Sequence, residues 1–236
     1  TLPPDLRARE MDFASRLPAR VATAKGAGVQ AMQWRPLGPY NVGGRTRALA
    51  YDIAHPDNIL AGAVSGGMWR SVDGGESWTK TTGPADVQSA SCIVQDKRPG
   101  STNVWYYGTG ELLSTSERRV DTLQRTLMTG NGIYKSTDNG ASWTQLASTK
   151  GGADGRLDEI FQGVWRIATD NSAVTLDEVY AACYGAVMHS TDGGATWVNT
   201  LGEDGEKSFC TDVQVTSRGV VYTAFGSTRA GQPSFT

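Results

Sequence analysis

The chain has 236 residues, with 22 Lys and Arg against 24 Asp and Glu, for a formal net charge of −2. A balance this close excludes a dedicated nucleic-acid binder, which needs a basic stripe to neutralise phosphates. No run of about 20 apolar residues is present to form a membrane-spanning helix, and 29 glycines among short apolar runs predict many tight turns and an all-β chain.

Residues 1–30 form a lead outside the pattern that follows. The chain opens Thr1-Leu2-Pro3-Pro4 without Met and reads as a processed or trimmed product, so the lack of a visible leader says little about destination. Pro4-Asp5 predicts the start of a short helix through Leu17, stopped by Pro18. Leu6, Phe13 and Leu17 share one face of it, with Arg7, Arg9 and Arg16 at polar positions. Residues 22–28 are small and linker-like. The helix reads as docked on the body of the protein, as a disordered terminus, or as a partner-binding segment.

From about residue 34 the sequence repeats itself. Three octads share Ser, Asp, Gly and Trp in fixed register: Ser71, Asp73, Gly75 and Trp78; Ser136, Asp138, Gly140 and Trp143; Ser190, Asp192, Gly194 and Trp197. A short apolar run precedes each octad and a polar-apolar run follows it, which predicts a hairpin with the octad at its turn. Two further strand-like runs lie upstream of each hairpin. For the first unit these are Thr46 to Asp52 and Asn58 to Val64; for the second, Ala90 to Asp96 and Asn103 to Gly108; for the third, Val164 to Asp170 and Glu178 to Tyr184.

Four antiparallel strands per unit, repeated, define the blades of a β-propeller. Blade 1 is expected at about 34–83, blade 2 at 87–148 and blade 3 at 160–201. A fourth begins at about 208–236 with Thr211-Asp212-Val213 and Val220-Val221-Tyr222 and stops before an octad of its own. Three and a half blades do not close a ring, so residues 31–236 are read as a partial propeller needing further blades from a longer chain or a partner.

Cys92, Cys183 and Cys210 are too far apart for a metal or redox pair motif. They are expected as buried small hydrophobes, with a Cys183–Cys210 bridge open in an oxidising compartment. His55 sits at a turn before Pro56. His189 falls where Arg70 and Lys135 fall in the other repeats and is read as an outward strand position. No histidine cluster suggests a metal, no phosphate-binding glycine loop opens a helix, and no cofactor is expected.

The octads match the Asp-box, or BNR repeat, and over about residues 34–236 the chain resembles propellers that carry it: sialidases, sortilin-type receptors, xyloglucanases and photosystem assembly factors. Trp34 to Arg47, Ser65 to Ser71 and Gly108 to Glu111 also resemble large secreted propeller proteins of Bacteroidota, many of which use the type IX secretion system. The resemblance implies a secreted or outer-surface location and an octad on the periphery, away from the binding face. In such turns the Asp accepts backbone N–H bonds as an Asx-turn does, and the Trp covers the turn. Asp73, Asp138 and Asp192 are therefore expected as scaffold.

Two enzyme comparisons weaken at particular residues. The sialidase Arg-Ile-Pro pattern is absent, since Arg166-Ile167 is followed by Ala168. Arg45 and Arg47 are expected to pair with nearby carboxylates or cap strand ends. The xyloglucanase motif Thr-Asp-Val-Gly-Gly-x-Tyr-Arg aligns with Ala63 to Arg70, which puts Val64 where that family has its catalytic acid. Glycoside hydrolysis usually needs two carboxyl groups.

Between the second and third strands of blade 2 lies a long insertion, Gly110 to Asn131, carrying Glu111, Glu117, Arg118, Arg119, Asp121 and Arg125. A connection this long is uncommon and often functional. It reads either as a ligand-contacting loop or as a solvated excursion. The expected function is a secreted or cell-surface module that binds protein or glycan or serves a structural role. The alternative is a glycoside hydrolase whose acids lie partly outside residues 1–236.

Overall fold

The computed structural model describes residues 12, 16, 44–110, 129–151, 160–173, 175–202, 209–226 and 234–235. Among the described residues, fifteen strands build four antiparallel sheets. Sheet 1 contains β1 (Thr46–Tyr51), β2 (Ile59–Ala63), β3 (Gly67–Ser71) and β4 (Thr79–Lys80). Sheet 2 contains β5 (Ala90–Gln95), β6 (Trp105–Thr109), β7 (Ile133–Ser136) and β8 (Thr144–Gln145). Sheet 3 contains β9 (Val164–Thr169), β10 (Val179–Cys183), β11 (Ala186–Ser190) and β12 (Val198–Leu201). Sheet 4 has β13 (Phe209–Val215), β14 (Val221–Gly226) and the short β15 (Ser234–Phe235).

Each sheet is a simple meander in chain order; its third and fourth strands are joined by the short octad turn, while in sheet 2 the second and third are joined by the long insertion. First strands stack on first strands: β5 lies against β1 and β9, and β9 against β13. The sheets therefore fan outward from a shared inner edge. Strand alternation buries one set of side chains between each pair of sheets. Leu60 and Met68 of sheet 1 meet Trp105, Tyr107 and Tyr134 of sheet 2, and the rings of Tyr107 and Tyr134 stack with centroids 4.8 Å apart. Tyr106 and Ile133 of sheet 2 meet Val164, Val179 and Met188 of sheet 3. Ala182 and Val187 meet Val213 of sheet 4.

Close approach depends on missing side chains. A Cβ on Gly62 would stand 2.8 Å from Ala90 Cβ, and one on Gly108 would stand 2.6 Å from Val164 Cγ1. Both distances are shorter than van der Waals contact allows, so the next inner strand packs directly on the backbone.

A second repeated device closes the first strands. Asp52, Asp96 and Asp170 follow β1, β5 and β9 and are all buried. Asp52 accepts from Ala54 N and, across the sheet boundary, from Gln95 Nε2 at 2.7 Å. Burial opposes ionisation of Asp52, and these donors overcome it, holding its carboxyl below the ordinary range. Asp96 binds Arg98, whose guanidinium also reaches Leu176 O and Asp177 Oδ1 in the connection between β9 and β10. Asp170 accepts from Ser172 N. In sheet 4 Thr216 holds the matching place, and its hydroxyl accepts from Val220 N.

The all-β fold, the four-stranded units and the truncated fourth unit agree with the sequence reading. One expectation fails. His189 is half-buried and stacked on Tyr180, with centroids 4.2 Å apart, because its strand face is turned toward the next sheet position rather than to solvent. Cys92 and Cys183 are buried, as expected of small hydrophobes; the side chain of Cys210, and with it the Cys183–Cys210 bridge, lies outside the described residues. Burial pushes the Cys92 thiol up to about 11, which keeps it protonated and inert. Of the lead, Asp12 and Arg16 are helical and paired at 2.5 Å; the rest of the expected helix lies outside the described residues.

Candidate functional site

The three octads fold into near-identical turns. Each opens at the end of the third strand, where Ser71, Ser136 and Ser190 are buried. Their hydroxyls accept the N–H of Gly75, Gly140 and Gly194, each at 2.8 Å. They donate in turn to Asp73, Asp138 and Asp192, at 2.6, 2.7 and 2.8 Å. Each carboxylate then accepts two more bonds, from the backbone N–H and the hydroxyl of Ser77, Ser142 or Thr196.

That much donation favours the charged form. Hydrogen bonds from Ser71 and Ser77 hold Asp73 well below the usual carboxylate range. Thr196 and Ser190 lower Asp192 to about 2. Burial works against ionisation at Asp138, and donors from Ser142 and Ser136 still lower it. A carboxylate with its lone pairs engaged in its own turn is a poor general acid at neutral pH.

The tryptophans differ. Trp78 and Trp197 donate Nε1–H to Gly75 O and Gly194 O within their own turns. Trp143 instead donates to Thr81 Oγ1 of the preceding sheet at 2.9 Å and meets Tyr107 edge-on at 4.7 Å.

The octad tips dock on the neighbouring sheet. A Cβ on Gly140 would stand 2.6 Å from Leu60 Cδ2, and one on Gly194 2.5 Å from Leu146 Cδ1. Asn139 takes the left-handed conformation, φ 60°, to complete its turn. Gly193 O accepts from Lys135 Nζ at 3.1 Å and Tyr106 Oη at 3.3 Å, and Gly194 O from Ser148 Oγ at 2.6 Å.

The opposite end carries the connections between second and third strands. In sheet 1 this is the turn before Gly67. Val64 is buried there, and its N–H donates to Arg45 O. In sheet 2 it is the insertion. Glu111, Glu117, Arg118, Arg119, Asp121 and Arg125 lie outside the described residues. The feet of the insertion are fixed: Gly130 N donates to Gln162 O at 2.7 Å, and Gly110 N to Ser89 O at 3.3 Å. Thr109 Oγ1 donates to Gly132 O and accepts from Asn131 N. Beside these feet, Ser89 Oγ and Asn131 Oδ1 are buried with no hydrogen-bond partner among the described residues.

Sequence reasoning passed over the buried Asp52, Asp96 and Asp170. Their signal was present, since each first-strand run ended in Asp at the same offset. Arg166, on an inner strand, pairs with Asp212 at 3.0 Å. Among the described residues no group of three or more His, Cys, Asp or Glu is placed to hold a metal, and no helix is long and apolar enough to cross a membrane.

Radial stacking of four-stranded meanders defines the class: a partial β-propeller of about three and a half blades. No protein-family model matches the chain. By sequence it is similar to a xyloglucanase of a Paenibacillus species, 26% identical over 186 residues, or 66% of this chain and 16% of that protein. It is also similar to the xyloglucanase Xgh74A of Acetivibrio thermocellus, 27% identical over 204 residues, or 77% of this chain and 22% of that protein. The chain thus spans between 16% and 22% of the length of these curated relatives.

By structure it is similar to an ancestral GH74 enzyme, with a TM-score of 0.58 at 20% identity over 78% of this chain and 22% of that one. It is similar too to the extracellular domain of the BT4673 one-component system of B. thetaiotaomicron, with a TM-score of 0.51 at 12% identity over 76% of this chain and 20% of that one. These structural likenesses establish the fold.

Proposed function

We propose that this chain is part of an extracellular β-propeller that binds a glycan, at the end of the blades opposite its octads. The octads are Asp-boxes with a scaffold role. Blades at 34–83, 87–148, 160–201 and 208–236 follow the lead of residues 1–30. The observation that carries this reading is the contrast between the two ends. Every octad carboxylate is used up by donors of its own turn. At the other end, Ser89 and Asn131 bury polar atoms without partners at the foot of a charged insertion. Buried polar groups are nearly always satisfied, but Asn139 Oδ1 in the second octad is unpartnered too, so it is the long charged insertion above these atoms that marks the contact surface. Glu111, Glu117, Arg118, Arg119, Asp121 and Arg125 are the proposed ligand-contacting residues, and loops on a rigid scaffold commonly carry recognition.

Likeness to xyloglucanases supports a glycan as ligand, and the resemblance to secreted Bacteroidota propellers supports a secreted or outer-surface location. Binding is favoured over hydrolysis by Val64. The position aligned with the xyloglucanase acid is an apolar side chain, 5% exposed, which neither donates nor accepts a proton. A cell-surface protein ligand is the second reading, supported by the arginines and carboxylates mixed on one loop.

The test pairs calorimetric titration of xyloglucan oligosaccharides and a wider glycan array with a reducing-end assay. Binding without new reducing ends is expected. Deleting residues 113–128 with a Gly-Ser bridge is expected to leave folding intact, since loop closure depends only weakly on length, and to remove binding. Hydrolysis by the purified chain would overturn the binding reading. A folded deletion variant with full affinity for every ligand found would overturn the site.

A further inference from the structure

The three octads differ at one backbone position. The place taken by Gly74 in the first and Gly193 in the third, at φ 72° and 69°, is held in the second by Asn139 at φ 60°. Among the described residues no other non-glycine stands at a positive φ. Asn tolerates this region better than most residues, so the turn survives the exchange. The exchange also sets a carboxamide directly before a glycine. The sequence holds two such pairs, Asn131-Gly132 and Asn139-Gly140.

An Asn-Gly pair carries a reaction of its own. The backbone nitrogen of the glycine, unshielded by a side chain, gives its proton to hydroxide and attacks the Asn Cγ. The N–Cγ bond forms, the Cγ–Nδ2 bond breaks and Nδ2 leaves as ammonia. Water then opens the cyclic imide at either carbonyl, giving Asp or isoaspartate. The step needs the glycine N–H released and the Asn backbone able to turn.

In the second octad both are withheld. Gly140 N–H donates to Ser136 Oγ at 2.8 Å, Asn139 N–H donates to Asn103 O at 3.0 Å, and Asn139 O accepts from Asn58 Nδ2. The other pair is held by different groups: Gly132 N–H donates to Phe161 O at 3.1 Å and Asn131 N–H to Thr109 Oγ1 at 2.8 Å. Asn139 follows the exposed Thr137 and Asp138 at a hairpin tip, whereas Gly132 runs straight into β7. A hairpin tip opens at lower cost than a strand ladder.

We propose that Asn139-Gly140 is a site of spontaneous deamidation and isomerisation, kept silent in the folded chain by the hydroxyl of Ser136. Neither product fits the turn. Isoaspartate lengthens the main chain by one methylene just before Gly140, where a Cβ would already stand 2.6 Å from Leu60 Cδ2. Aspartate places charge at a position where Asn139 Oδ1 is buried with no hydrogen-bond partner among the described residues. Conversion therefore loosens the second octad from sheet 1. The inference is independent of the glycan reading.

The test incubates the 236-residue chain in mildly alkaline buffer and follows both Asn-Gly pairs by peptide mass mapping with an isoaspartate assay. Conversion at Asn139 is expected to be at least about tenfold slower than in a synthetic peptide of residues 136–143. Ser136→Ala is expected to speed it at least about tenfold while Asn131 changes little. In converted chains the Ser142 amide, held by Asp138, should exchange faster. Asn139→Gly, the residue of the sister octads, should abolish conversion and keep Ser142 protected through the same incubation. Acceleration confined to Asn139 supports the site. Equal acceleration at both pairs, no acceleration in Ser136→Ala, or a folded chain that reacts as fast as the peptide overturns the guarding role. Loss of Ser142 protection in Asn139→Gly overturns the link between conversion and loosening.

Discussion

Lys135 in the second sheet places its ammonium 3.1 Å from the carbonyl oxygen of Gly193 in the third sheet's octad turn, and 5.2 Å from the centroid of the Tyr106 ring. A cation of one blade thus holds the turn of the next, and the ring beneath supplies a negative face that favours it there. Lys135→Met keeps the packing of the stem and removes the donor. It is expected to lower stability by about 1 kcal/mol and to speed amide exchange selectively at Gly193 and Gly194. Denaturant unfolding with exchange mass spectrometry checks both; uniform acceleration across all three octads would contradict a local tie.

Ser136 is buried and does three things in its turn, accepting from Gly140 N and Asp138 N and donating to Asp138 Oδ1. Ser136→Ala strands the Gly140 N–H against the packed face of Leu60. The expected loss is about 1–3 kcal/mol, read as a fall in the urea midpoint with an unchanged m-value. Because the octad lies at the far end from the insertion, glycan affinity of the folded variant is expected to stay constant.

Acid should act on the octads together. The folded-state pKa values of Asp73, Asp138 and Asp192 are lowered, that of Asp192 to about 2. The folded chain therefore holds its protons less tightly than the unfolded chain. The resulting stabilisation is present in full above the unfolded carboxylate pKa, about 4, and is lost as pH falls from there through about 2. Melting temperatures measured between pH 6 and 2 should stay level down to about pH 4 and then drop. The drop should be smaller in a triple Asp→Asn variant, whose turns no longer titrate. A wild-type curve that falls chiefly above pH 5 would show that other groups govern acid sensitivity.

Arg98 ties sheet 2 to sheet 3. Its guanidinium bonds Asp96 at 2.6 Å, Asp177 at 2.5 Å and Leu176 O at 2.7 Å, with its side chain 13% and that of Asp96 4% exposed. Arg98→Ala leaves the Asp96 carboxylate buried without its cation. The expected loss is about 3 kcal/mol, mostly from that uncompensated charge. The double variant Arg98→Ala with Asp96→Ala should recover part of it. A double variant no better than the single one would show that packing of the arginine stem dominates.

Strand order and sheet composition were legible because they rest on two local signals that tertiary context does not change: the Ser-x-Asp-x-Gly turn and the alternation of the runs beside it. What the sequence concealed is direction. His189 occupies the same place in its repeat as Lys135, yet whether that face meets water or a neighbouring blade depends on how the sheets stack, so it was misjudged. Trp143 matches its repeat partners residue for residue but spends its indole N–H on Thr81 of another sheet, a contact that no spacing encodes. The buried aspartates after β1, β5 and β9 were visible as letters, but their burial follows from turns tucked between sheets. The six charged residues of the insertion lie outside the described residues, and their assignment to a ligand remains a proposal.

Gly62 and Gly108 fill the fourth place of their second strands, and in sheets 3 and 4 that place is held by Ala182 and Ala224. At this place the inner strand of the following sheet comes nearest, with Ala90 and Val164 pressed against the glycine backbone. These small residues therefore act as shims of fixed thickness between successive wedges. A thicker shim at the inner edge would open the angle from one wedge to the next, and a constant angle divides a full circle into a whole number of parts. The number of blades that can share one ring is thus constrained partly by residues chosen for how little room they take.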